Sequence, residues 1–255
     1  MRRAIFNQKG GVGKSTITCN LAAISAHNHR RTLVIDLDPQ GNSTQYLLGS
    51  LEQECETTLV DYFEEQLYRT LEPKGLIGCI HKTPFPRLEL VPSHSDLEYL
   101  AEKLDSRHKM YKLKEALDSL SHYDSIYIDT PPALNFYTRS ALIASDACLI
   151  PFDCDYLSLR ALRVLLDTVS EVQRDHRHSL RLEGIVVNQF QVTAKLPKRI
   201  VSELLDEGLP VLDTYLSSSI KIRESREKSL PMVYLDPRHK LTMQFEELYR
   251  KLNLS

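Results

Sequence analysis

Six short runs of β-branched and aliphatic residues, most of them closed at once by a polar or Gly/Pro-containing loop, leave this chain few architectures. They are Ala4-Ile5-Phe6, Thr32-Leu33-Val34-Ile35, Leu88-Glu89-Leu90-Val91, Ser125-Ile126-Tyr127-Ile128, Ala147-Cys148-Leu149-Ile150 and Gly184-Ile185-Val186-Val187. Between them, leucine and isoleucine recur at helical spacing: Ile17, Leu21 and Ile24; Leu97, Leu100 and Leu104; Leu113, Leu117 and Leu120; Leu159, Leu162 and Leu166. Strands that alternate with amphipathic helices in this way predict an α/β fold, a mostly parallel twisted sheet with helices on both faces.

No internal repeat, low-complexity tract or linker interrupts the pattern, so residues 1–255 are expected to form one domain. At 29.3 kDa such a chain buries about 70% of its extended surface, enough to need no disulfide or metal for stability. The five cysteines, at 19, 55, 79, 148 and 154, include no C-x-x-C pair and read as small buried hydrophobes or incidental thiols. His27, His29, His176 and His178 lie in polar stretches and read as surface residues. Met1-Arg2-Arg3 leads into a short strand rather than a signal-peptide segment, and no apolar run approaches bilayer length, which points to a cytoplasmic protein. Net charge is −2, which excludes a polybasic tail protein or an acidic disordered chain. Residues 174–240 nevertheless carry 12 basic against 9 acidic side chains.

Gln8-Lys9-Gly10-Gly11-Val12-Gly13-Lys14-Ser15-Thr16 stands directly after the first strand and before a helical stretch, the context that a phosphate-binding loop requires. Glycines at 10, 11 and 13 let the backbone around Val12 curl so that successive N–H groups point at phosphate oxygens, and the helix start adds its positive end. Lys14 then neutralises β and γ phosphates, the Ser15 hydroxyl ligates Mg²⁺, and Thr16 adds a hydroxyl nearby. The strict pattern places glycine where Gln8 stands. Beside it Lys9 adds a second cation to the loop, and two lysines flanking one anion site repel unless a strong anion compensates them. The dinucleotide pattern G-x-G-x-x-G is absent, which argues against an oxidoreductase.

Two strand ends supply carboxylates. Asp36 and Asp38, two residues apart at the end of the second run, can point to one side of the sheet at the edge where ligands of parallel sheets bind. Asp129 closes the run Ser125–Ile128, the usual source of a water-mediated contact to Mg²⁺.

These residues resemble the ParA/MinD group of deviant-Walker P-loop ATPases, specifically its ParA branch. The resemblance rests on K-G-G-V-G-K-S-T, D-L-D-P-Q-G-N at 36–42, D-T-P-P at 129–132 and L-P-M-V-Y-L-D-P-R at 230–238, all in family order. It implies ATP and Mg²⁺ as cofactors, with Lys14, Ser15 and Thr16 as the phosphate and metal group and Asp129 as the Walker B acid. Asp38 then positions or activates the attacking water, and Asp36 supports the metal site or switch loop. By the same resemblance Lys9 reaches across an ATP-dependent homodimer to the partner's nucleotide, hydrolysis is slow without a partner, and Asn188 contacts the base. The branch's ATP dimers bind double-stranded DNA without sequence preference, which gives the basic tract a use: Lys195, Lys198 and Arg199 in one cluster, Lys221, Arg223, Arg226 and Lys228 in another, with Arg238 and Lys240 behind. Where the family often has a P-R-N stretch, this chain has Ser217-Ser218-Ser219.

The function expected is thus a nucleoid-associated ATPase that positions a plasmid, chromosome origin or protein assembly with a ParB-like adaptor. A MinD-like membrane switch is the alternative, but it needs an amphipathic tail. Phe245, Leu248, Tyr249 and Leu252 read instead as the last core helix, with Glu246 and Glu247 opposing an anionic membrane. An iron-protein relative would need paired interface cysteines, for which Cys79, Cys148 and Cys154 give no convincing equivalent.

Overall fold

The computed structural model describes residues 1–154 and 161–253 throughout and the backbone of 156–160 and 254. The described residues include seven strands: β1 (Arg2–Ile5), β2 (Thr32–Asp36), β3 (His81–Lys82), β4 (Leu88–Val91), β5 (Ser125–Asp129), β6 (Ala147–Asp153) and β7 (Arg181–Asn188). They form one sheet in the order β3-β4-β2-β5-β1-β6-β7. Every pairing is parallel except that of β3 with β4.

The side chains of each strand divide by parity between two cores, as a pleated strand covered on both faces must. On β1, Ala4 and Phe6 enter the first core and Ile5 the second; on β2, Leu33 and Ile35 face Val34; on β5, Ile126 and Ile128 face Tyr127; on β7, Ile185 and Val187 face Val186. Helices α3 (Leu59–Leu67), α4 (Leu97–Ser106), α5 (Lys112–Asp118), α6 (Phe136–Ala144), α7 (Tyr156–Asp175) and α8 (Lys195–Asp206) contribute to the first core. Helices α1 (Lys14–His27), α2 (Asn42–Leu48), α10 (Met232–Leu235) and α11 (Lys240–Leu254) cover the other face, and α9 (Lys221–Glu227) packs there through Ile222.

The expected stripes on α1, α4 and α5 are buried. On α7 the buried stripe is Leu162, Leu165, Val169 and Val172, whereas Leu166 is only half-buried. The side chain of Leu159 lies outside the described residues. Phe245, Leu248 and Leu252 of α11 are buried, with α11 against α1, so the last helix braces the helix that follows the phosphate loop. Cys19, Cys79, Cys148 and Cys154 are buried thiols and Cys55 is half-buried. No described helix is long and apolar enough to cross a membrane.

Candidate active site

β1, β2 and β5 are neighbours in the sheet, so the segments leaving their carboxyl ends converge. Asp36 of β2 is in register beside Asp129 of β5. The phosphate loop leaves β1 and enters α1 through Gly13, whose φ of 93° lies in the left-handed region. Asn7 shapes the entry: its carboxamide donates to Pro151 O (2.7 Å) and accepts from Lys9 N (2.8 Å). Asn188, at the end of β7, donates to Val12 O at 2.8 Å. A Cβ on Gly13 would stand 2.3 Å from the Asn188 amide nitrogen, so glycine is required there for conformation and for space.

Lys14 is buried, and its ammonium donates to Lys9 O at 3.2 Å. Burial lowers its pKa, against the opposing pull of Asp129 and Asp38. Ser15 and Thr16 are half-buried. Together Gly10, Gly11, Gly13, Lys14, Ser15 and Thr16 line a cavity of about 710 Å³ whose far wall includes Asp38, Gln40, Tyr46, Arg223 and Arg226. A contiguous cavity of about 250 Å³ is lined by Asn188, Gln189, Ser217–Ser219, Leu241 and Phe245, and it shares Gly11, Gly13, Thr16, Arg223 and Arg226 with the first.

The carboxylates differ in their partners. Asp36, read from sequence as metal or switch-loop support, is engaged on both oxygens: Oδ2 accepts from Thr44 N and Oγ1, each at 2.8 Å, and Oδ1 from Asp38 N at 3.2 Å. It is therefore the anchor of the loop between β2 and α2. Asp129 accepts from Ser43 Oγ at 2.7 Å through Oδ2, while its buried Oδ1 accepts no hydrogen bond of good geometry among the described residues. Burial pushes its carboxyl up to about 6, despite the Ser15 and Ser43 hydroxyls and with the Asp38 charge adding to the rise. Asp36 is raised as well, by burial and by Asp129. Asp38 is nearly buried and is raised by burial, although Gln40 N–H donates to its Oδ1 at 3.1 Å and Lys14 draws it down.

Two buried, adjacent carboxylates, one of them with an unpartnered oxygen behind Lys14 and Ser15, form a cluster that a divalent cation would relieve. The residues present fit hydrated Mg²⁺, held through the Ser15 hydroxyl and, by way of water, Asp129.

Ser43, Thr44 and Ser93 were not singled out in the sequence, although they fix this geometry. Ser93 N donates to Thr44 Oγ1 (2.9 Å) and Ser93 Oγ to Asp38 O (2.6 Å). For Ser43 and Thr44 the sequence signal is a pair of small hydroxyl residues shortly after the acidic end of β2; Ser93 follows the apolar end of β4 and has none.

The basic tract separates in space. Lys195, Lys198 and Arg199 are exposed on α8, which packs on the first core, and Arg199 pairs with Glu203 at 3.3 Å. On α9, Lys221 and Lys228 both pair with Glu224 (2.9 and 2.8 Å), while Arg223 and Arg226 stand on the cavity wall. The two clusters thus lie against opposite faces of the sheet rather than in one cluster on the monomer.

Comparison with known proteins agrees with this architecture. A family model described as an AAA domain matches residues 3–182. The chain is 32% identical over 251 residues to the chromosome partitioning protein ParA of Myxococcus xanthus, covering 97% of this chain and 86% of that one. It is also 32% identical over 238 residues to the sporulation initiation inhibitor protein Soj of Bacillus subtilis, covering 92% and 91%. Among solved structures, a cobyrinic acid a,c-diamide synthase from Mycobacterium smegmatis with bound ATP analogue and magnesium superposes with a TM-score of 0.83 at 25% identity, covering 98% of this chain and 92% of that one. A glycine loop held by Asn188 at the end of β7, Asp38 on the cavity wall with Asp36 and Asp129 buried beside it, and similarity to partitioning proteins over most of the chain lead to one conclusion: this chain belongs to the ParA family of P-loop ATPases.

Proposed function

We propose that the chain is an ATP-switched positioning ATPase. Two copies close face to face on bound ATP and Mg²⁺, and the closed dimer holds DNA through its phosphates. A ParB-like adaptor stimulates otherwise slow hydrolysis, which releases the dimer and moves a plasmid, chromosome origin or protein assembly over the nucleoid. The observation that carries this reading is the convergence of Lys14, Ser15, Thr16 and Asp38 on one cavity at the carboxyl edge of the sheet.

Mg²⁺, when bound, neutralises charge on the phosphate oxygens. Lys14 turns from the Lys9 carbonyl to the polyphosphate by giving up one 3.2 Å hydrogen bond, and an anion there restores the ammonium that burial disfavours. The Gln40 N–H fixes the Asp38 carboxylate through one oxygen. Its other oxygen has no protein donor among the described residues and is left to orient the attacking water. Burial raises the proton affinity of Asp38, which suits it to take the water's proton. Asn188 lines the adjoining cavity, where the nucleoside of a bound ATP would lie.

Resemblance to the family supports Lys9 as the cation lent to the partner's nucleotide. Lys195, Lys198, Arg199, Lys221 and Lys228 remain the proposed DNA contacts, giving affinity that falls steeply with salt. A membrane role is disfavoured because the apolar side of α11 is buried in the core.

Light scattering with a nonhydrolysable ATP analogue and Mg²⁺ tests the scheme. The wild-type mass should double, whereas Lys9→Ala should bind nucleotide and stay monomeric. A wild-type monomer that persists at saturating nucleotide would refute it.

A further inference from the structure

Sequence alone assigns the four cations of α9 to one DNA-binding group, but the structure divides them. Lys221 and Lys228 share Glu224. Arg223 and Arg226, three residues apart and so on one side of the helix, have no ion-pair or hydrogen-bond partner for their guanidinium groups among the described residues. Both line the two cavities that meet at the phosphate loop.

Their backbone is fixed relative to that loop. Ser225, fully buried between them, shares a 2.5 Å hydrogen bond with the Tyr46 hydroxyl and donates to Leu230 O at 2.6 Å. Asn20 of α1 donates to the same Tyr46 oxygen at 3.1 Å and to Thr16 O at 2.8 Å. A continuous chain of hydrogen bonds thus runs from the phosphate loop to the residue that separates the two arginines. The Arg226 charge is also near enough to lower the proton affinity of the Tyr46 phenol, although burial dominates that group. Glu227 also lines the larger cavity, and no ion pair between it and either arginine is present among the described residues.

The geometry points to Arg223 and Arg226 as a nucleotide clamp supplied in cis, directed at the phosphates of the nucleotide in the same protomer's cavity rather than at the DNA backbone. The two cavities share these arginines with Gly11, Gly13 and Thr16, while Lys14 lines one cavity alone and Asn188 the other. The arginines therefore stand at the neck, beside the phosphates nearest the nucleoside, which ADP and ATP have in common. Guanidinium groups suit this position because their planar fork matches phosphate oxygens and never loses its charge.

This rests on the cavity being the nucleotide site, and the test separates the two claims. Fluorescence-anisotropy titration with labelled ADP and a labelled nonhydrolysable ATP analogue, both with Mg²⁺, compares wild type with Arg223→Gln, Arg226→Gln and the double variant. Lys82→Gln, an exposed cation on β3, controls for net charge. Each single variant should weaken both nucleotides about tenfold, and the double variant more. Lysine at either position should recover only part of the loss, and the nucleotide-free melting temperatures should match wild type. Unchanged affinity in the double variant, while wild type binds, overturns the clamp. A loss confined to the triphosphate overturns its placement at the neck. A clamp variant that binds nucleotide normally but loses DNA in the ATP-analogue state returns the pair to the DNA face. Wild type that binds neither nucleotide refutes the cavity assignment itself.

Discussion

Replacing Asp129 by asparagine should make the nucleotide-free protein more stable while abolishing its magnesium response. The Asp129 carboxyl is fully buried, in register beside Asp36, and is raised to about 6. Relative to an ordinary aspartate near 3.9, keeping it ionised at pH 7 costs the folded state about 3 kcal/mol. Asparagine removes that charge. Its amide oxygen can keep the hydrogen bond from Ser43, and its NH₂ occupies the side that has no hydrogen-bond partner among the described residues. Burying an unpartnered N–H offsets about 1 to 2 kcal/mol of the gain. A net stabilisation of about 1 to 2 kcal/mol raises the melting temperature by roughly 3 to 6 °C in a chain of this size. The pH dependence has a definite sign. A carboxyl raised in the folded state takes up its proton more readily there than in the unfolded chain, so wild-type stability rises as pH falls from 7 toward 5. The variant lacks this contribution. Differential scanning fluorimetry at pH 7 and 5.5, with and without ADP and Mg²⁺, measures both effects. A variant that melts at or below wild type at pH 7, with the same pH slope, would refute the account of Asp129 as a strained anion awaiting a cation.

Gly13→Ala should lose nucleotide binding, because the new Cβ meets the Asn188 amide and φ is 93°. Combining it with Asn188→Ala relieves the clash but not the backbone strain, so titration calorimetry should show incomplete recovery, and full recovery would contradict the conformational part of the argument. Tyr46→Phe removes the hydroxyl that joins Asn20 to Ser225 and should cost about 1 to 3 kcal/mol in urea unfolding. An unchanged midpoint would show that the bridge contributes nothing.

Fold class was legible because short β-branched and aliphatic runs and 3.6-period helices are local patterns, and all six expected strands lie in the sheet. Strand β3 was not legible: His81-Lys82 is two polar residues, and only its pairing with β4 makes it a strand. Asp36, Asp38 and Asp129 could be located because a strand end fixes where its last side chain lies. The difference between Asp36, engaged on both oxygens, and Asp129, left with one open, could not be located in that way. It depends on where Ser43 and Thr44 settle, which is decided by contacts from Ser93 and β5. Arg223 and Arg226 illustrate a second limit, since composition registers their charge but not the direction in which a short helix turns it.

The position of β1 also bears on how the molecule is made. It lies between β5 and β6, so during synthesis this strand pairs only with segments encoded more than a hundred residues later. At translation speeds of about 5 to 20 residues per second, that interval is on the order of ten seconds. Throughout it, this apolar segment has no sheet partner to join, and final assembly of the glycine loop waits for Asn188, 176 residues after Val12, to which it donates. Such a nascent chain is a natural client for holdase chaperones, and truncations that end before β7 should be targets of proteolysis rather than partly active fragments.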